Sequence, residues 1–140
     1  MDLDGDGHDD ILSGSYWPGD LFLFRGKADG AFEKGEILKD LEGKNLSSGP
    51  PWSSPKKPEM DSLAASPFAF DADGDGVLDL YVGNISGRVI LIPNEGTAKK
   101  PALRPPCFIL GMSTQVYQWL SARLSPSDTR RDGVSMCRSK

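Results

Sequence analysis

The 140 residues are enough for one ordinary domain, with 38% apolar and 26% charged residues and a mean hydropathy of −0.37. No apolar run approaches the about 20 residues of a membrane-spanning helix, and the first 25 residues lack the basic start and apolar core of a signal peptide. The formal charge of −4 is unevenly spread: residues 1–100 hold 18 acids and 10 bases (net −8), whereas residues 101–140 hold 2 acids and 6 bases (net +4).

The chain opens on Asp2-Leu3-Asp4-Gly5-Asp6-Gly7-His8-Asp9-Asp10, and the pattern returns 69 residues later as Asp71-Ala72-Asp73-Gly74-Asp75-Gly76-Val77-Leu78-Asp79. Carboxylates fall at positions 1, 3, 5 and 9 of each stretch, with glycines at 4 and 6. Asp-Gly pairs are common in simple turns, but turn preference does not explain alternating carboxylates at the same spacing twice. Four carboxylates gathered this closely repel one another unless a cation joins them. Ca²⁺ takes six to eight oxygens at about 2.3–2.6 Å, and glycine permits the tight backbone such a loop needs. The expected ligands are therefore Asp2, Asp4, Asp6, the backbone carbonyl of His8 and Asp10 in the first loop. Those of the second are Asp71, Asp73, Asp75, the backbone carbonyl of Val77 and Asp79. Affinity in the range of extracellular calcium modules, about 10⁻⁴–10⁻³ M, is expected, with the Asp71 loop tighter.

Helical calcium motifs are excluded. An EF-hand closes on a bidentate Glu at position 12, where these loops carry Ser13 and Val82, and a dockerin-type loop also wants an acid there and a following helix. The flanks are instead short and β-prone: Ser66-Pro67-Phe68-Ala69-Phe70 enters the second loop and Leu78-Asp79-Leu80-Tyr81-Val82-Gly83 leaves it.

The motif Asp-x-Asp-Gly-Asp-Gly-x-x-Asp-[Ile/Leu], then a short strand, a glycine and a second apolar strand, resembles the FG-GAP/VCBS repeat family. These are the blades of calcium-binding β-propellers, as in the head of integrin α subunits and in bacterial surface proteins. Ile11-Leu12-Ser13-Gly14-Ser15 aligns with Leu80-Tyr81-Val82-Gly83-Asn84, and Gly19-Asp20-Leu21-Phe22-Leu23-Phe24 with Gly87-Arg88-Val89-Ile90-Leu91-Ile92. The resemblance implies an all-β fold, an incomplete β-propeller of two partial blades built from four-stranded antiparallel sheets. Residues 1–41 are read as a blade lacking its first strand, with strands at 10–15, 20–24 and 32–38. Residues 64–103 are read as a second blade, with strands at 64–70, 79–83 and 88–92 and a fourth near Ala102. The family's use of the acidic positions for Ca²⁺ carries over to the eight aspartates named above.

Between the blades, residues 42–63 read as a long Pro/Ser-rich loop with polyproline character, in which Trp52 is expected to anchor against a blade. Residues 104–140 form a basic tail holding Cys107, Cys137 and five of the seven arginines. Its alternatives are a short helix over 113–124, or disordered or non-native sequence after a truncation, suggested by a ladder that begins directly after Met1. A disulfide between the two cysteines is open, and two are too few to assign a compartment. The tail lacks a dense basic cluster, so nucleic-acid binding is not expected.

His8 is the only histidine and is expected to face solvent, while Asp9 is out of phase with the ladder and expected to be a solvated charge. No nucleophile–base pair is evident, so an enzyme is not expected. The leading reading is an interaction or adhesion scaffold in a secreted, periplasmic or cell-surface protein, with structural Ca²⁺. Its protein or carbohydrate ligand would meet the propeller face or loops near Trp17 and Trp52. Self-association through open blade edges is also expected. The alternatives are an accessory domain of an exported carbohydrate-active or oxidative enzyme, or a truncated reading frame without independent function.

Overall fold

The computed structural model describes residues 1–49 and 63–110. Trp52, most of the Pro/Ser-rich segment, Cys137 and the 113–124 segment lie outside the described residues. Within them the chain forms seven strands and no helix: β1 (Ile11–Gly14), β2 (Leu21–Phe24), β3 (Glu36–Ile37), β4 (Ser66–Phe70), β5 (Asp79–Gly83), β6 (Val89–Ile92) and β7 (Cys107–Leu110). They make two antiparallel sheets, ordered β1-β2-β3 and β4-β5-β6-β7, and neither closes into a barrel. This is the incomplete propeller expected, with one three-stranded and one four-stranded blade.

Period-two patterning explains the strands. In β2, Leu21 and Leu23 are buried while Phe22 and Phe24 are only half-buried. In the second sheet Leu80 pairs with Ile92 and Val82 with Ile90, so these four share one face, while Leu91, opposite Tyr81, is buried on the other. Leu3, Leu21, Leu23, Leu38, Leu46, Ala65, Leu80, Val82, Ile90, Ile92 and Leu103 form one cluster spanning both sheets. At about 1.5–3 kcal/mol per buried aliphatic side chain, this shared cluster is what holds the blades together.

Three strand boundaries differ from the sequence reading. Strand β3 is shorter than the expected 32–38: Phe32 makes only an isolated bridge to Gly26, and Gly35 passes against the Phe24 ring, so continuous pairing begins at Glu36. Strand β4 begins at Ser66 because Ala64 lies at φ 54, where the backbone turns and the Ala64 and Ala65 N–H groups donate to Tyr16 and Ser15. The fourth strand of the second blade is β7, within the segment read as tail, rather than a strand near Ala102. The buried Asn94 side chain captures the Ala102 N–H at 2.7 Å, Leu103 enters the core, and Pro105 and Pro106 have no N–H to donate to a ladder.

The start of the segment read as an inter-blade loop also belongs to the first blade. Leu46 is buried; its N–H donates to Leu38 and its carbonyl accepts from Leu21. Asp40 folds this hairpin, accepting from the Glu42 and Lys44 N–H groups at 2.9 Å around Gly43.

Candidate metal centre

Each aspartate ladder leads into the second strand of its blade. The second loop bridges the hairpin β4–β5, whose last register pair is Phe70 with Asp79. The first closes in the same way, with the Asp10 N–H donating to the Met1 carbonyl before β1 begins. Glycines at positions 4 and 6 take the left-handed backbone in both loops: φ is 67 and 92 at Gly5 and Gly7, and 79 and 84 at Gly74 and Gly76. A side chain at these positions would be strained.

This backbone turns its N–H groups inward onto the first carboxylate. Asp2 accepts from Asp6 at 3.1 Å and Gly7 at 2.9 Å; Asp71 accepts from Gly74 at 2.7 Å, Asp75 at 3.2 Å and Gly76 at 3.0 Å. These donors stabilise the ionised carboxylate. Asp71 is held below the ordinary carboxylate range, chiefly by the Gly76 N–H and, against desolvation, by those of Gly74, Asp75 and Asp73. The fifth-position carboxylates hold the seventh residue: Asp6 accepts from His8 at 2.8 Å and Asp75 from Val77 at 2.9 Å.

Two carboxylate triplets converge. Asp2, Asp4 and Asp10 bring one oxygen each within 4.8 Å of one another, as do Asp71, Asp73 and Asp75. Asp6 is outside the first triplet and Asp79 outside the second, so six of the eight expected aspartates meet in threes. The ninth-position residues are buried struts. Asp10 accepts from the Leu3 N–H and the Gly26 N–H, both at 2.9 Å, and Asp79 accepts from the Asn94 N–H at 2.7 Å. Gly26 and Asn94 each lie two residues beyond the second strand after their loop, β2 and β6, so both blades tie that strand end to the ladder in the same way.

The donor set suits a hard cation: only carboxylate oxygens converge. In the first loop Asp4, a member of the triplet, has its Oδ1 buried without a hydrogen-bond partner. A buried carboxylate oxygen left so is costly, and a cation would satisfy it. Its other oxygen, Oδ2, accepts from Arg25 Nη1.

His8 is half-buried, its Cβ lying close to Gly26 just past β2. Asp9, its side chain 88% exposed, pairs with the Met1 ammonium at 3.0 Å. Trp17 is partly exposed in the β1–β2 connection. Sequence reading missed Arg25, which engages the ladder from 21 residues away, and Asn94. The Asn94 side chain accepts from Gly96 and Ala102 and donates to the Leu78 carbonyl, joining the second loop to the segment after β6. Their places just past β2 and β6, one and two residues beyond the strand, were the available signal. Beside the second loop, the Tyr81 phenol is pushed up by burial and then by the Asp79 and Asp73 charges.

No curated protein and no solved structure matches the chain. A model of the FG-GAP-like repeat matches residues 2–82. That match takes in both ladders and the strands β1–β4 and most of β5, and with the two-blade architecture it places the chain in the FG-GAP-like repeat family.

Proposed function

We propose that this chain is a calcium-binding propeller unit of a secreted or cell-surface protein, in which the ion is structural and the blades serve as an interaction scaffold. The observation that carries the reading is the convergence of two carboxylate triplets at matching places in successive blades. Asp2, Asp4 and Asp10 would hold one ion, and Asp71, Asp73 and Asp75 the other, with His8 and Val77 carbonyls as the further donors expected from the ladder. Bound Ca²⁺ would supply the positive charge that lets the carboxylates remain close. The chain's own contribution is to fix them through the inward-facing N–H groups. A protein or carbohydrate partner on the blade faces or loops is part of this proposal, with Trp17 among the exposed aromatics available to it.

Calcium titration by calorimetry, with thermal unfolding followed by circular dichroism, tests the reading. Two ions are expected per chain, at about 10⁻⁴–10⁻³ M, with a rise in unfolding temperature on loading. Asp73→Ala together with Asp75→Ala should remove one ion and leave the other. Unchanged binding in that double variant would reject the second site.

A further inference from the structure

The first ladder already has a cation within reach. Arg25 follows β2 directly and donates through Nη1 to Asp4 Oδ2, while Nε and Nη2 reach Glu36 Oε1 at 3.2 and 2.9 Å. Asp4 belongs to the converging triplet, and its side chain is only 15% exposed. The next residue, Gly26, donates its N–H to Asp10. Two consecutive residues at the end of β2 therefore clamp two of the three converging carboxylates.

The second blade repeats the frame without this guanidinium. There Asn94 occupies the place of Gly26 and donates to Asp79, whereas Pro93 stands where Arg25 does. The position that supplies the guanidinium in the first blade therefore carries no charge in the second.

We propose that Arg25 is a tethered counter-ion that competes with the metal for Asp4 and so sets the metal affinity of the first loop. This inference rests on the calcium reading of that loop. With Arg25 in place, one charge of the triplet is neutralised and Asp4 Oδ2 is spoken for, leaving Oδ1 as its open donor atom. Loading the loop with a divalent ion puts two cations on one carboxylate, which repel at short range. Arg25 can yield without losing both partners. Glu36 retains its two contacts, and a groove of about 680 Å³ opens beside the side chain, bordered by Leu3, Glu36, Asn45 and Leu103. The first loop is accordingly ordered without metal and exchanges a guanidinium for the ion when calcium is high.

The test uses the full chain carrying Asp73→Ala and Asp75→Ala, so that calcium calorimetry reads the first loop alone. Adding Arg25→Gln is expected to tighten calcium binding about tenfold, the scale of one partly exposed charged hydrogen bond; Arg25→Lys should fall between. In metal-free buffer the Arg25→Gln chain should lose amide exchange protection at Gly7 and His8, and calcium should restore it. Equal calcium affinity with and without the Arg25→Gln substitution overturns the proposal while leaving the first loop a calcium site. Absence of first-loop binding in both chains, with one ion still held by the otherwise unaltered protein, also overturns it and confines the metal to the second loop. If the unaltered chain binds no calcium, the calcium reading falls and this proposal with it.

Discussion

At the scale of single residues, the ladder combines groups available to a cation with groups that hold the fold, and Asp10 belongs to both. Asp10 is the clearest holder. It is buried, and its two oxygens accept from backbone N–H groups of residues far apart in the chain, Leu3 and Gly26. Removing the carboxylate strands both donors away from water. Asp10→Ala is therefore expected to destabilise the metal-free chain by about 3 kcal/mol, read from urea unfolding in the presence of a chelator. Asp10→Asn, which keeps one acceptor oxygen, should lose less. Equal stability of the Ala variant would show that these contacts contribute little to the fold. Asp9 is the contrasting neighbour, exposed and outside the triplet.

At the scale of elements, the two blades repeat a strand–loop–strand frame but differ where they touch. Gly14 and Gly83 end β1 and β5 at equivalent places. A Cβ on Gly14 would collide with the Ala65 carbonyl as the chain enters the second blade, whereas one on Gly83 would find its nearest neighbour, the Ser66 carbonyl oxygen, at 3.9 Å. Backbone cannot move aside cheaply. Gly14→Ala is expected to cost about 2 kcal/mol, the scale of overpacking a close contact, and Gly83→Ala should be close to neutral. Comparing the two by thermal unfolding separates blade contact from the general effect of glycine in a strand. A second contact between the repeats lies at Gly5, packed near the Ala98 backbone, shortly before Leu103 joins Leu3 in the core.

At the scale of the molecule, one cluster of aliphatic side chains spans two open sheets. Among the described residues, β1 has only β2 as a strand neighbour, and β4 has only β5. Pro67, lacking an N–H, blunts the β4 edge, but Phe68 and Phe70 stand exposed on that strand with ring centroids 6.5 Å apart. Open edges and a paired aromatic surface favour association. Sedimentation velocity is expected to show species larger than a monomer that grow with concentration, and Phe68→Lys should shift the balance toward monomer. A single monomeric species across the concentration range would mean that the edges are adequately protected.

The sequence alone carried the repeat, the strand character of its flanks and the identity of the acidic ladder, because all three are local. Alternating side chains, left-handed glycines and Asp N–H contacts span only a few residues, and the two copies check each other. Local pattern also placed β2 and β5 closely. Tertiary structure decided the remainder. It selected three of four aspartates in each loop for convergence, drew the ninth one into the backbone of a later segment, and moved the fourth strand of the second blade from Ala102 to Cys107–Leu110. It also brought Arg25 onto Asp4 across 21 residues. Such partners are fixed by the closing of a blade and by the shared leucine core, where contacts between distant residues set which carboxylates stay together and which are already taken.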